Sequence, residues 1–266
     1  MKSRIALAVA VLAAVSVPAA SASHSWNGYH WARTANPFTI KLGDNVSGLW
    51  DGMLVTASSD WSQSSVLDTT VVAGGTRPKP CKATSGRVEV CSASYGNTGW
   101  LGVATIWITG GVHIVQGTVK NNDYYFGTST YRYNNTAEMQ HVICQEIGHT
   151  FGLDHQDESG ISLNTCMDYY HNTSSSDTQS TSPNAGDYDE LLCIYDPAYA
   201  GRTLSHGGHT CTGTGHLDSS TTIGAAPGTR LVPIGAVGES RYVDQLGNGL
   251  TRITYVRWAT PIHPNL

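Results

Sequence analysis

Glu138, His141, Gln145 and His149 recur every three or four residues, and Met139, Ile143, Ile147 and Phe151 recur in the same rhythm on the other side. That period is helical, so the stretch between Asn135 and Gly152 is predicted to be one amphipathic helix. Asn135 suits the N-cap, with Glu138 three residues on as in a capping box, and Gly152 suits the residue that ends the helix. Residues four apart lie one turn above the other, so positions 145 and 149 can reach a single ion. Glu146 is rotated about 100° from that stripe and can instead reach a water bound to the ion, as a general base must. Beyond Gly152 the chain turns back, and His155 can approach from another side. Three protein donors with one open position make a catalytic rather than a structural zinc site.

Read against H-E-x-x-H-x-x-G-x-x-H, residues 145–155 fit every fixed position except the first, where Gln145 replaces histidine. Cys166-Met167-Asp168-Tyr169 follows and resembles the methionine turn of metzincin zinc proteases. Pro183 to Leu192 resembles the entry to the last helix of the matrixin branch, and Trp100 to Ile108 its substrate-binding strand. The resemblance spans residues 37–196, with its specific part in 145–169. It implies zinc held by Gln145, His149 and His155, with Glu146 as general base and Met167 as an apolar floor beneath the metal. Tyr169, or Tyr170, would stand near enough to support a tetrahedral intermediate. The fold implied is α+β, a metzincin-like catalytic domain with a twisted mixed sheet and a long active-site helix. The function implied is peptide-bond hydrolysis in a protein or peptide substrate, by a monomer.

Lys2 and Arg4, the apolar run Ile5 to Val17 and Ala20-Ser21-Ala22 read as a secretory signal peptide over residues 1–22. The apolar run is too short to span a membrane comfortably, so a secreted, extracellular protein is expected. Net charge is −5 and only 13% of residues are charged, which removes the electrostatic basis for nucleic-acid binding. Six cysteines in an exported chain suggest three disulfides, for which fifteen connectivities exist. Cys81 and Cys91 flank the turn Ser85-Gly86, which favours a hairpin bridge between them. If Met167 lies under the metal, Cys144 and Cys166 come together, and Cys193 and Cys211 remain as the third pair. No C-x-x-C pair supports a cysteine-based zinc site. No cysteine lies between the signal segment and the first strand, so a Cys-switch propeptide is not expected.

Strands are predicted at Phe38–Leu42, Ser65–Ala73, Arg87–Ser92, Trp100–Ile108 and Val112–Val119, with a first helix in Trp50–Leu67. The catalytic domain is placed at 23–200. Residues 201–266 form an extension: a Gly-rich loop carrying His206, His209 and His216, then a small β-rich part with a hairpin turning at Gly247-Asn248-Gly249. Gln145 leaves three outcomes open. Its amide oxygen ligates zinc weakly; or His141, His206, His209 or His216 substitutes; or zinc binding and catalysis are lost. The reading adopted is a working secreted zinc endopeptidase. The alternative is a non-catalytic pseudoenzyme that uses the same fold as a secreted binding protein.

Overall fold

The structure is a computed structural model that describes residues 24–127, 131–132, 134–204, 211, 232–234 and 239–259. The signal segment 1–22 and the histidines at 206, 209 and 216 lie outside the described residues. The chain is α+β. Its strands are β1 (His30–Trp31), β2 (Phe38–Asn45), β3 (Leu67–Ala73), β4 (Val88–Ala93), β5 (Trp100–Thr109), β6 (His113–Asn122), β7 (Val232–Ile234), β8 (Glu239–Gly247) and β9 (Leu250–Trp258). All join one mixed sheet in the order β3-β2-β4-β6-β5-β9-β8-β7, with β1 also pairing β6. The β2, β3, β4, β6 and β1 pairings are parallel, whereas β5 runs antiparallel to β6 and to β9.

The helices are α1 (Leu49–Trp61), α2 (Asp123–Phe126), α3 (Thr136–His149) and α4 (Ala185–Tyr195). The first helix stops at Trp61, short of the expected bound at Leu67, and Leu67 opens β3 within the expected strand Ser65–Ala73. The central helix is capped as expected: Asn135 accepts from the Glu138 amide at 3.0 Å. Glu138 does not complete a capping box. Its carboxylate turns to the Asn172 amide at 2.7 Å and to His171 Nδ1 at 2.6 Å. The helix is buried along nearly its whole length on both stripes, so its polar side faces other protein rather than water.

One face of the sheet carries the main core. Ala104, Ile106 and Ile108 of β5, Val119 of β6 and Ile253 and Tyr255 of β9 meet Met139, Ile143, Ile147, Trp61 and Phe151 there. At a hydrophobic gain of about 25 cal/mol per Å², this interior is the principal source of stability.

Three disulfides tie the chain: Cys81–Cys91, Cys144–Cys166 and Cys193–Cys211. The first bridge does not cross a hairpin. Cys91 lies on β4, whose neighbours β2 and β6 both run parallel to it, and Cys81 sits in the loop before it. Among the described residues no helix is long and apolar enough to cross a membrane. Both features are compatible with an extracellular protein.

The hairpin at the end of the chain turns at Gly247-Asn248-Gly249, all three with positive φ, which suits the Gly-Asn-Gly sequence. It does not pack beside the sheet but continues it. β9 pairs with β5 from Trp100 to Ile108, so the strand expected to bind substrate in extended form has neighbours on both sides.

Candidate active site

The central helix carries Gln145, Glu146 and His149 into the interior, all with no exposed surface. Its end is fixed by Gly152, whose φ is +95°. A Cβ there would lie 1.9 Å from the Tyr29 carbonyl oxygen, so only glycine fits both the conformation and the space. The return after Gly152 places His155 against His149, with ring centroids 4.6 Å apart at 82°. His149 Nδ1 lies 2.9 Å from the Leu153 carbonyl oxygen. His155 Nδ1 lies 3.5 Å from Asp154 Oδ1 and 3.9 Å from Glu158 Oε1. His149 thus commits Nδ1 to an acceptor, the arrangement that makes Nε2 the coordinating nitrogen in metal-binding histidines, whereas the carboxylate contacts of His155 Nδ1 are longer. Burial, then the neighbouring His155, holds His149 well below the usual imidazole range. Hydrogen bonding from His155 lowers the Glu158 carboxyl.

Met167 is fully buried. It packs under the helix at Gly148, where an added Cβ would meet its Sδ at 2.5 Å and the Trp61 ring at 2.7 Å. The Cys144–Cys166 bridge ties this turn to the helix. Tyr169 packs on the His155 ring at 4.4 Å, whereas Tyr170 turns its hydroxyl to Asp177 at 2.8 Å. Glu146 reaches β5 at Gly102, where a Cβ would come within 2.6 Å of its Oε1.

Gln145 is engaged on both sides of its amide. Its Nε2 donates to the Asp168 carbonyl at 2.8 Å, and its Oε1 accepts a hydrogen bond from Arg257 Nη1. Arg257 stands on β9, is 3% exposed, and also donates to the Tyr170 carbonyl at 2.7 Å. Its Nη2 is 3.6 Å from Glu138 Oε1. His141 is fully buried in the same network, with Nε2 3.1 Å from the Asp168 carbonyl and Nδ1 3.1 Å from Asn172 Oδ1. It supports this network rather than reaching toward His155. Two residues before Arg257 on the same strand, Tyr255 stacks on His149 at 4.3 Å and 15°, and its hydroxyl donates to Asp154 at 2.7 Å.

The chain matches no family model, and no curated protein or solved structure is similar to it. The site must therefore be judged by its own geometry.

The zinc centre expected from the sequence fits these residues only in part. His149 and His155 stand side by side, but Gln145, as folded, does not fit. Its only donor atom already accepts from a cation, which would also repel a metal ion. The remaining pair falls short of the three protein donors of a catalytic zinc site. Among the described residues, the one cluster of three His, Cys or carboxylate groups close enough to share an ion is Asp154, His155 and Glu158, which excludes His149.

Sequence reasoning missed Arg257 and Tyr255. The signal was present: Ile253, Tyr255 and Arg257 alternate on one side of a strand, so the arginine falls in a core-facing register. An arginine there requires buried partners, because an unpaired internal charge is too costly.

Proposed function

We propose that this protein is a secreted, metzincin-like endopeptidase whose centre is held shut by its own C-terminal hairpin. The observation that carries this reading is that one strand, β9, obstructs three separate requirements of peptide hydrolysis. It pairs with β5 where an extended substrate would add as a strand. Its Tyr255 covers His149, and its Arg257 occupies the oxygen of Gln145. β9 thus lies where a substrate would lie.

In this reading, displacement of β9 frees Gln145 to join His149 and His155 as the third donor for zinc. Glu146, held beside β5 by the close approach at Gly102, is the base this chain offers. Gly152 and Met167 keep the helix end and its floor in place. Peptide or protein is the substrate class, taken in extended form along β5.

A second reading rests on a different observation. Ile253 and Tyr255 of β9 belong to the main hydrophobic core, as parts of a permanent sheet do. That favours a pseudoenzyme, a secreted binding protein in which Gln145 is an anchor for Arg257.

One experiment separates the two. Zinc content and hydrolysis of unfolded casein are measured for the full chain, for Arg257→Leu combined with Tyr255→Ser, and for that pair combined with Glu146→Gln. The latent-enzyme reading expects zinc uptake and casein cleavage to appear in the double variant and cleavage to vanish again with Glu146→Gln. A folded double variant with neither zinc nor cleavage establishes the pseudoenzyme.

A further inference from the structure

The face of the sheet turned away from α3 holds a cavity of about 500 Å³, roofed by residues 80–83 and floored by β6, β5 and β9. Its size falls within the usual range for small-molecule sites, about 300–1,000 Å³. The pairing registers order its floor in three rows. Thr118, Thr105 and Thr254 stand side by side across the three strands. Lys120 and Val103 form the row on one side of the threonines, and Gln116, Trp107 and Arg252 the row on the other. Lys82 adds a third cation from the roof, and none of the described residues that line the cavity is a carboxylate.

One feature of this cavity is costly without a ligand. Burial, and then the like charge of Arg252, holds the Lys120 ammonium below its usual range. Arg252 is balanced from outside the cavity by Asp244 at 2.7 Å, whereas the Lys120 ammonium lies over the Tyr95 ring, 5.8 Å from its centroid. Cations gathered in a concave, partly enclosed site raise the local concentration of anions. The threonine hydroxyls can donate or accept, and those of Thr105 and Thr254 lie 3.1 Å apart.

We infer that this cavity is a binding site for an acidic saccharide, with carboxylates at Lys120 and Arg252 and ring hydroxyls on the threonine row. The two cation-bearing rows are four residues apart along the strands, so a ligand that meets both cations crosses the threonine row between them. Trp107 supplies an aromatic wall of the kind that packs against a sugar ring.

The site also bears on the hairpin. Arg252 and Thr254 belong to β9, whose opposite face carries Tyr255 and Arg257. A saccharide spanning Lys120 and Arg252 therefore ties β9 to β5 and β6. The inference does not depend on peptidase activity, because binding is read directly.

The test is calorimetric titration of the full chain with trigalacturonic acid, maltotriose and inorganic sulfate. Trigalacturonic acid is expected to bind one to one, with maltotriose and sulfate at least roughly tenfold weaker. Lys120→Gln and Arg252→Gln, each checked for native circular dichroism, should each weaken it by roughly tenfold or more, the loss typical of a hydrogen bond to a charged group. Bound saccharide should also slow amide exchange along β9. No binding of trigalacturonic acid, equal binding of maltotriose or sulfate, or full affinity in whichever charge variant folds would each overturn the site.

Discussion

Arg257 donates a hydrogen bond to the side-chain oxygen of Gln145, and both residues are almost completely buried. The pairing explains why a glutamine can stand on the buried polar stripe of the helix without leaving a polar group unsatisfied. Arg257 also binds the Tyr170 carbonyl and approaches Glu138, so a single guanidinium joins β9, the helix and the methionine turn.

Gln145→Leu should therefore lower folding stability by about 1.5–3 kcal/mol, the scale of a hydrogen bond to a charged group. Gln145→His should lower it similarly, since imidazole would then face the Arg257 guanidinium. Zinc affinity should rise with Gln145→His only when Arg257→Leu accompanies it. Chelator titration of the two single variants and the double variant checks this as a coupling. Equal gains in affinity with and without Arg257 would show that the guanidinium does not control position 145.

Tyr255 joins the site to the core. Its ring stacks on His149 and lies 4.1 Å from Trp26, and its hydroxyl reaches Asp154. Tyr255→Ala should cost about 3–5 kcal/mol, as for other large buried aromatics. Tyr255→Phe keeps the stack and should cost about 1 kcal/mol. Denaturant unfolding measures both. Equal costs would mean that the hydroxyl, not the ring, carries the contact.

Gly148 and Gly152 make different demands of the helix end. Gly148→Ala drives a methyl against Met167 and Trp61, and overpacking of this kind costs about 1–3 kcal/mol. Gly152→Ala must also hold φ +95° and clear a backbone oxygen 1.9 Å away, so it should cost more than Gly148→Ala. Thermal unfolding of the two variants ranks them. The reverse order would mean that the return to His155 is more adaptable than its geometry indicates.

The Cys144–Cys166 bridge closes a segment with a sequence separation of 22 and holds the methionine turn to the helix. Replacing both cysteines with serine should cost about 3 kcal/mol on chain-entropy grounds. Denaturant unfolding of the double-serine variant checks the figure, and an unchanged midpoint would show that packing of Met167 against Gly148 suffices alone.

Much of this was legible from local pattern. The helical period, the Asn135 cap and the Gly152 stop are all short-range features, and the helix follows them. The hairpin at Gly247-Asn248-Gly249 was equally plain. What could not be read was where that hairpin docks. Its pairing with β5 joins residues about 150 positions apart, and period-two alternation marks a strand without naming its neighbour. The fate of Gln145 depended on that pairing, because Arg257 reaches it only once β9 lies beside β5. For the same reason, the parallel neighbours of β4 ruled out the hairpin inferred around Cys81 and Cys91.

Glu89 stands on β4, apart from the candidate site. This buried carboxylate accepts from Arg87 Nε at 2.7 Å, Asn45 Nδ2 at 2.7 Å and the Gly75 amide at 3.0 Å. Burial raises its carboxyl, but these hydrogen bonds outweigh that and bring it down to about 2 from an ordinary 4.5. A depressed folded-state value means that the unfolded chain takes up the proton first. The stabilisation is therefore fully present above about pH 4.5 and is lost as pH falls toward 2. Asp123 and Asp168 act in the opposite sense, because burial raises their carboxyls, so the wild-type acid profile alone mixes both effects. Glu89→Gln isolates one of them. Its stability deficit against wild type should be greatest above pH 4.5 and shrink steadily on acidification, as the wild-type carboxyl becomes neutral like the amide. Urea unfolding of both proteins between pH 2 and pH 7 measures that gap, and a gap that stays constant across the range would rule out an ionised Glu89 as its source.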